Sequence, residues 1–402
     1  MIFNKKAYFY AGWERSSKIN NFRIIGQGMQ KINLNFKIFI MKELLIELIK
    51  FKTTAQNTNE LKSIIDFVEN YLKATNLIIK KYEKNNKFSL VATFKETKHP
   101  KIFFVGHLDV VDAKEELFNP KVEGNIIKGR GAIDMKGPSA VLIELFKELS
   151  KENKNYDIGL MLTTDEEIGS QNGVEYLLSE ENYSCDFAII PDGGFNFNII
   201  NREKGVLHFK VISRGKSAHG SRVWEGTNAI ENIIDFYNDI SLIFPTEPCG
   251  DPNHWHNTIN LGKIEGGTKV NIVPDYCYAE IDIRFTEPWT VEKMKEQVLS
   301  SIKKFPNLEM EVLSVGEAIY VDEENEFLKL YKQTAEKILN RNVNFIYEHG
   351  ATDGRFFAQK GIPVIITNAI GYGLHTDDEW ADLNSLENLK LIFKEFLKNY
   401  FE

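Results

Sequence analysis

The spacing of apolar residues divides the chain into two kinds of segment. A helical stripe opens at Leu44, Leu45, Leu48 and Ile49, and a second runs through Leu61, Ile64, Ile65, Val68, Tyr71 and Leu72, predicting an amphipathic helix over 59–75. Short unbroken apolar runs follow at 101–105, 156–162, 187–190 and 363–366. Runs of that kind predict strands covered on both faces, whereas 88–94 alternates and predicts a half-buried strand. Helices are predicted from Pro138, a residue suited to a first helical turn, to Leu149, near 325–339, and over 384–401, with a strand near 343–347. Strands alternating with helices predict an α/β fold, a mixed, mostly parallel sheet flanked by helices. The middle of the chain has a different rhythm. Strand 206–213, helix 227–243, strands 256–264 and 276–285, helix 291–304 and strand 308–313 spell βαββαβ, a ferredoxin-like α+β module. The predicted division is therefore an α/β domain over 41–204 and 315–402, interrupted by an inserted domain over 205–314.

Composition narrows the classes. With 402 residues, 43% hydrophobic and 26% charged, the chain is neither disordered, collagenous nor a coiled coil throughout. No apolar run approaches the ~20 residues of a membrane helix, so no membrane partner is expected. A net charge of −8 argues against non-specific binding of nucleic acid. Three cysteines without a CxxC pair make no disulfide framework. Residues 1–40 stand apart, with seven Lys/Arg against one Glu, which leaves −14 over the remaining 362 residues. This head is either a basic extension or a mis-assigned start ahead of a true initiator at Met41. It lacks the apolar core and cleavage site of a secretory signal, so a cytoplasmic location is expected.

In an open α/β sheet, ligands bind beyond the carboxyl ends of the strands. After 101–105 comes Gly-His-Leu-Asp, with His107 and Asp109. After 156–162 comes Thr-Thr-Asp-Glu-Glu-Ile-Gly, with Asp165, Glu166 and Glu167. After 187–190 comes Pro-Asp-Gly-Gly, with Asp192, and after 363–366 a glycine-rich loop that ends in His375. Between the first two lies Gly129-Arg-Gly-Ala-Ile-Asp-Met-Lys-Gly, with Asp134 just before a helix. Each motif alone is weak, because His-x-Asp, a run of acids or a single Asp is ordinarily structural or solvated. Gathered on one sheet edge, the carboxylates repel one another unless cations compensate them. Mixed imidazole and carboxylate donors suit zinc, cobalt or manganese. Asp134, Glu167 and Asp192 supply −3 against +4 from two divalent ions, which leaves a site that attracts hydroxide, as a two-metal hydrolase needs.

These motifs, in this order, resemble the M20 metallopeptidases, a family that includes succinyl-diaminopimelate desuccinylase, acetylornithine deacetylase, aminoacylase, carboxypeptidase and several di- and tripeptidases. The likeness runs from about Met41 to the C-terminus and takes in Gly266-Gly-Thr-Lys-Val-Asn-Ile-Val-Pro274 of the insert. It implies two divalent ions, zinc first, with cobalt or manganese as alternatives. His107 and Asp192 would hold one, Glu167 and His375 the other, with Asp134 bridging and a cis peptide after Asp134. Asp109, on the same strand face as His107, would orient its imidazole, and Glu166 would be the general base. Glu166 and Glu167 would diverge as consecutive extended residues do. The likeness further implies a homodimer built through the insert, with His219 reaching the partner's active site. Asn271, Arg284 and Arg355 would bind the substrate carboxylate or oxyanion, although Arg355 could instead pair with Asp353. His254 and His256, flanking Trp255, read as structural.

The substrate signals are mixed. Gly350-Ala-Thr-Asp-Gly-Arg-Phe356 is similar to a desuccinylase loop, while Asp192 stands where deacylases carry Glu, as in the peptidase members. The expected substrate is an N-acyl amino acid, cleaved by a desuccinylase-like deacylase. A dipeptidase or carboxypeptidase acting on short peptides is the alternative, and a catalytically dead ligand-binding relative the non-enzyme one. All five expected ligands and Glu166 are present, which argues against the last.

Overall fold

A computed structural model of the chain describes residues 39–402 except 153, 155 and 246–248. Residues 1–38 of the basic head, and with them the choice between its two readings, lie outside the described residues.

Helix α1 (39–50) leads into α2 (Thr58–Leu72), and a hairpin of β1 (Ile78–Lys84) and β2 (Lys87–Thr93) follows. Asn85 and Asn86 turn this hairpin with positive φ, +50° and +59°, in the manner of the mirror-image turns that match strand twist. Next come β3 (Ile102–His107), the short strands β4 (Lys121–Glu123) and β5 (Ile126–Lys128), α3 (Lys136–Leu149), β6 (Ile158–Thr163), α4 (Val174–Ser179), β7 (Phe187–Ile190) and β8 (Ile199–Glu203). The middle segment contributes β9 (Gly205–Arg214), α5 (Ala229–Ser241), β10 (Thr258–Gly266), β11 (Tyr276–Phe285), α6 (Val291–Ile302) and β12 (Leu308–Gly316). The chain closes with β13 (Ile319–Tyr320), α7 (Glu326–Leu339), β14 (Phe345–Glu348), α8 (Gly354–Gln359), β15 (Val364–Ile366), β16 (Gly371–Tyr372), β17 (Trp380–Asp382) and α9 (Leu383–Phe401).

The main sheet has the order β1-β2-β6-β3-β7-β15-β8-β13, with β14 also on β8. Its centre, β6-β3-β7-β15, is parallel, while β1, β2 and β13 pair antiparallel and β15 meets β8 antiparallel. The sheet is thus mixed, and less parallel than the apolar runs implied. Those runs come from its buried centre, and the antiparallel margins carry more polar residues. All seven residues of β2 are buried, against the half-buried strand expected there, because β2 lies inside the sheet with α2 packed over it. The remaining short strands form a small sheet, β16-β17-β5-β4.

The middle segment builds its own antiparallel sheet, β10-β11-β9-β12, in the expected βαββαβ order. Leu207, Phe209 and Val211 alternate inward on β9 and meet Ile233 and Phe236 of α5 and Met294 and Val298 of α6, a core separate from the larger one under the main sheet. Capping fixes where these helices start. The Asn228 side chain accepts from Ile230 and Glu231 N–H, and Thr290 from Lys293 N–H. Among the described residues no helix is long and apolar enough to cross a membrane.

Candidate active site

The parallel centre of the sheet brings the chemistry to one edge. His107 ends β3 directly opposite Thr163, the last residue of β6, so Asp165, Glu166 and Glu167 emerge level with it. Asp192 follows β7 by two residues. Asp134 comes from the loop before α3, and His375 from the turn between β16 and β17, where it takes a left-handed φ of +57°. Glu166 and Glu167 diverge as expected, though not as extended residues. They lie in a 3-10 turn, Glu166–Ile168, which sends Glu166 towards His107 and Asp192, and Glu167 towards Asp134 and His375.

Asp134 stands between the two imidazoles, its Oδ1 3.4 Å from His107 Nε2 and its Oδ2 3.1 Å from His375 Nε2. Asp192 Oδ2 is 3.8 Å from His107 Nε2, and Glu167 Oε2 3.1 Å from His375 Nε2. Two ligands of one tetrahedral zinc lie roughly 3.4 Å apart, so these gaps suit a cation held between the atoms. The tautomer agrees. His107 Nδ1 is 3.1 Å from the Asp109 carbonyl, which only accepts, so Nδ1 carries the proton. Nε2, buried and without a hydrogen bond among the described residues, faces two carboxylates. Positive charge there, whether a proton or a metal ion, makes that arrangement favourable. The electrostatics point the same way. Burial pushes Asp192 up to about 7; His107 opposes this, and Asp134, Asp353 and Glu167 add to it. Burial works against charge on His107 too, yet Asp109, Asp134 and Asp192 outweigh it and hold its pKa well above the usual range. The site demands positive charge, and the residues present fit two divalent ions.

Asp109 differs in detail from expectation. It lies beyond the end of β3, and its own carbonyl, not only its carboxylate, orients the imidazole. Its Oδ1 is 3.5 Å from Nδ1, while Oδ2 accepts from Glu167 N–H at 3.1 Å, tying the His107 and Glu167 loops together.

Glu379 organises the Asp134 loop and carries no signal in the sequence. Its Oε1 accepts from the Ile133 and Asp134 N–H groups, and its Oε2 from Gly131 N–H and from Arg130 Nη1 at 2.6 Å. The Asp134–Met135 peptide is cis. Gly137 completes the motif, because a Cβ there would lie 2.1 Å from the Ala132 carbonyl oxygen. Arg130 and Glu379 side chains are 3% and 0% exposed. Glu379→Ala should therefore destabilise the protein by roughly 3–5 kcal/mol, the usual cost of stranding a buried charge. Urea unfolding of the two proteins measures this, and a loss below about 1 kcal/mol would show that solvent replaces the carboxylate freely.

Beside Glu166 and Glu167 lies a cavity of about 520 Å³, closed on its far side by the β9-β11-β12 face. His208 on β9 is opposite Asp282 on β11 and Ser314 on β12, and Arg284 follows on the same face. Asp282 accepts from Arg284 Nε at 2.8 Å and lies 3.1 Å from His208 Nε2, and His208 Nδ1 is 3.0 Å from Ser314 Oγ. Arg284 thus lines the cavity. His208 was missed, although it is the one imidazole among the outward positions of β9, where Leu207, Phe209 and Val211 point inward. Arg355 lines the cavity too, and its guanidinium donates to the carbonyls of Ala351, Thr352 and Gly169 and so braces two loops, without an ion pair to Asp353 among the described residues. His219 and Asn271 do not line this cavity. They are exposed neighbours, His219 bridged to Ile272 and Gly220 N–H bonded to the Asn271 carbonyl.

Comparison with known proteins matches this architecture. The model of peptidase family M20/M25/M40 matches residues 103–399. A succinyl-diaminopimelate desuccinylase from Marinobacter nauticus is 25% identical over 322 residues, covering 74% of this chain and 83% of the relative. An acetylornithine deacetylase from Buchnera aphidicola subsp. Schizaphis graminum is 25% identical over 387 residues, covering 88% and 96%. The solved structure of an M20 family metallo-carboxypeptidase from Sulfolobus solfataricus shares the fold, with a TM-score of 0.72 at 18% identity over 89% of this chain and 98% of that one. The chain belongs to the M20/M25/M40 peptidase family and is a metal-dependent hydrolase of that group.

Proposed function

We propose that the protein is a two-metal amidohydrolase that cleaves the acyl amide of an N-acyl amino acid, as a desuccinylase-type deacylase does. The observation that carries this reading is the juxtaposition of Glu166, grouped with His107 and Asp192 and next in the chain to Glu167 of the Asp134–Glu167–His375 group, with a cavity that presents Arg284 and His208. A guanidinium and an imidazole across from the base suit a substrate with a free carboxylate.

His107 and Asp192 would hold one ion, Glu167 and His375 the other, and Asp134 would bridge, with zinc the best match to this donor set. When bound, the two ions lower the pKa of water and polarise the scissile carbonyl. Glu166 takes the proton of the attacking water and returns it to the leaving amine. Burial lifts its pKa well above the ordinary carboxylate value, opposed by His107 and reinforced by Asp192, Asp353 and Glu167, which suits a group that must both accept and release a proton. The 205–314 segment would act as lid and dimerisation domain. Edge strand β10 is largely exposed and pairs only with β11 among the described residues, leaving an edge for a second copy. The exposed His219 and Asn271 would then serve the partner's site.

A dipeptidase is the second reading, favoured by Asp192 at the position that deacylases fill with Glu. The test is zinc-loaded protein assayed against matched N-succinyl and N-acetyl amino acids and dipeptides. N-succinyl turnover at least about tenfold above the rest supports the deacylase. A dipeptide preference selects the second reading, and no turnover on any of them with both ions bound would overturn both.

A further inference from the structure

Away from the sheet edge, the connection between α5 and β10 gathers a different set of donors. Cys249, His254 and His256 each offer a ligand atom, and these lie within 4.8 Å of one another. Cys249 Sγ is 3.4 Å from His254 Nδ1. With Zn–S near 2.3 Å and Zn–N near 2.0–2.1 Å, a tetrahedral ion separates its sulfur and nitrogen ligands by about 3.6 Å. His256 is turned to contribute. Its Nδ1 lies 2.9 Å from the Asn257 carbonyl, an acceptor, so Nδ1 holds the proton and the lone pair is on Nε2.

The loop is built beforehand to hold this array. Asp251 accepts from Asn253 N–H and Trp255 N–H, each at 2.8 Å, and its carbonyl accepts from His254 N–H at 3.1 Å. His256 N–H in turn bonds the His254 carbonyl at 2.9 Å. His254 itself takes φ +50°, in the left-handed region that non-glycine residues seldom adopt. Both turns serve to set the two imidazoles on the side of the loop where Cys249 lies.

We propose that Cys249, His254 and His256 form a further cation site, separate from the catalytic centre, for a borderline-soft divalent ion, with zinc the best match. One thiolate and two imidazoles select zinc over magnesium or calcium, which want oxygen. Three protein donors leave one tetrahedral position for solvent. The ion would fasten the loop where the middle segment meets the main sheet. The His254 carbonyl takes Lys204 Nζ at 2.9 Å, at the junction of β8 and β9, and the Trp255 ring rests 4.9 Å from Tyr347 on β14 and 5.9 Å from His349.

Sulfur makes the site separable from the catalytic ions, whose expected ligands are all nitrogen and oxygen. The full chain, loaded with zinc and freed of excess by gel filtration, should carry one more ion per chain than either Cys249→Ser or His256→Ala, measured by elemental analysis. Loaded with cobalt, it should show a near-ultraviolet thiolate-to-cobalt absorption that Cys249→Ser lacks. Cys185 and Cys277 are buried, so the half-buried Cys249 is the thiol expected to react first with a thiol reagent, and zinc should slow that reaction at least about tenfold. Equal ion content in wild type and both variants, with no such absorption, would overturn the site whether or not the catalytic centre is filled.

Discussion

Glu166→Gln should lower turnover by about 10²–10⁴-fold while the bound-metal content stays unchanged. The carboxamide keeps the size and the donor-acceptor reach of the carboxylate but cannot take a proton. The metal content matters because the geometry leaves a rival role open. Glu166 groups with His107 and Asp192 closely enough to serve as a ligand itself. A ligand lost to Gln would release an ion along with activity, whereas a base lost to Gln releases none. His107→Ala provides the contrast, since its Nε2 is the nitrogen donor nearest Asp192 and its loss should empty that half of the site. Measuring zinc per chain beside kcat on all three proteins distinguishes the roles, and near-normal turnover of Glu166→Gln would remove Glu166 from the mechanism.

How much of this was legible in the sequence follows from which forces leave a pattern. The buried parallel strands are unbroken apolar runs, so the sequence alone places their ends, and the His, Asp and Glu residues that follow them, along one edge. β1 (Ile78–Lys84) escaped notice because Lys80, Lys81, Glu83 and Lys84 break the apolar alternation. The small sheet escaped because its strands are two or three residues long and find partners far along the chain, as β5 does with β17. Glu379 shows a deeper limit. In Asp377-Asp378-Glu379 it reads as one of three surface acids, and only the closure of β17 onto β5 carries it beneath the Asp134 loop to meet its four donors. Arg355 and Asp109 gain backbone partners for the same reason. A side chain's type was visible in the sequence, but its partners depended on backbone carbonyls and amides that tertiary folding supplies.

Two inactive variants mixed together should regain activity, if His219 serves the neighbouring subunit. His219 is exposed, held by Ser221 Oγ at 2.8 Å from its Nδ1, and outside the cavity of its own chain. An imidazole so placed would polarise a scissile carbonyl or hold an oxyanion in another copy's site. Losing such a donor typically costs ~100–1000-fold in rate, so His219→Ala should be nearly inactive alone, as should Glu166→Gln. Co-refolded at equal amounts with random exchange, half the dimers are mixed. In a mixed dimer one site carries both lesions and the other carries none, so total activity should climb to about a quarter of wild type. If His219 acted within its own chain, every site would keep one lesion and the mixture would stay as inactive as its parts. A monomer would give the same silence, so size-exclusion mass is measured on the same samples. A dimeric mass with no recovered activity would refute the role of His219 in trans, and a monomeric mass would refute the dimer itself.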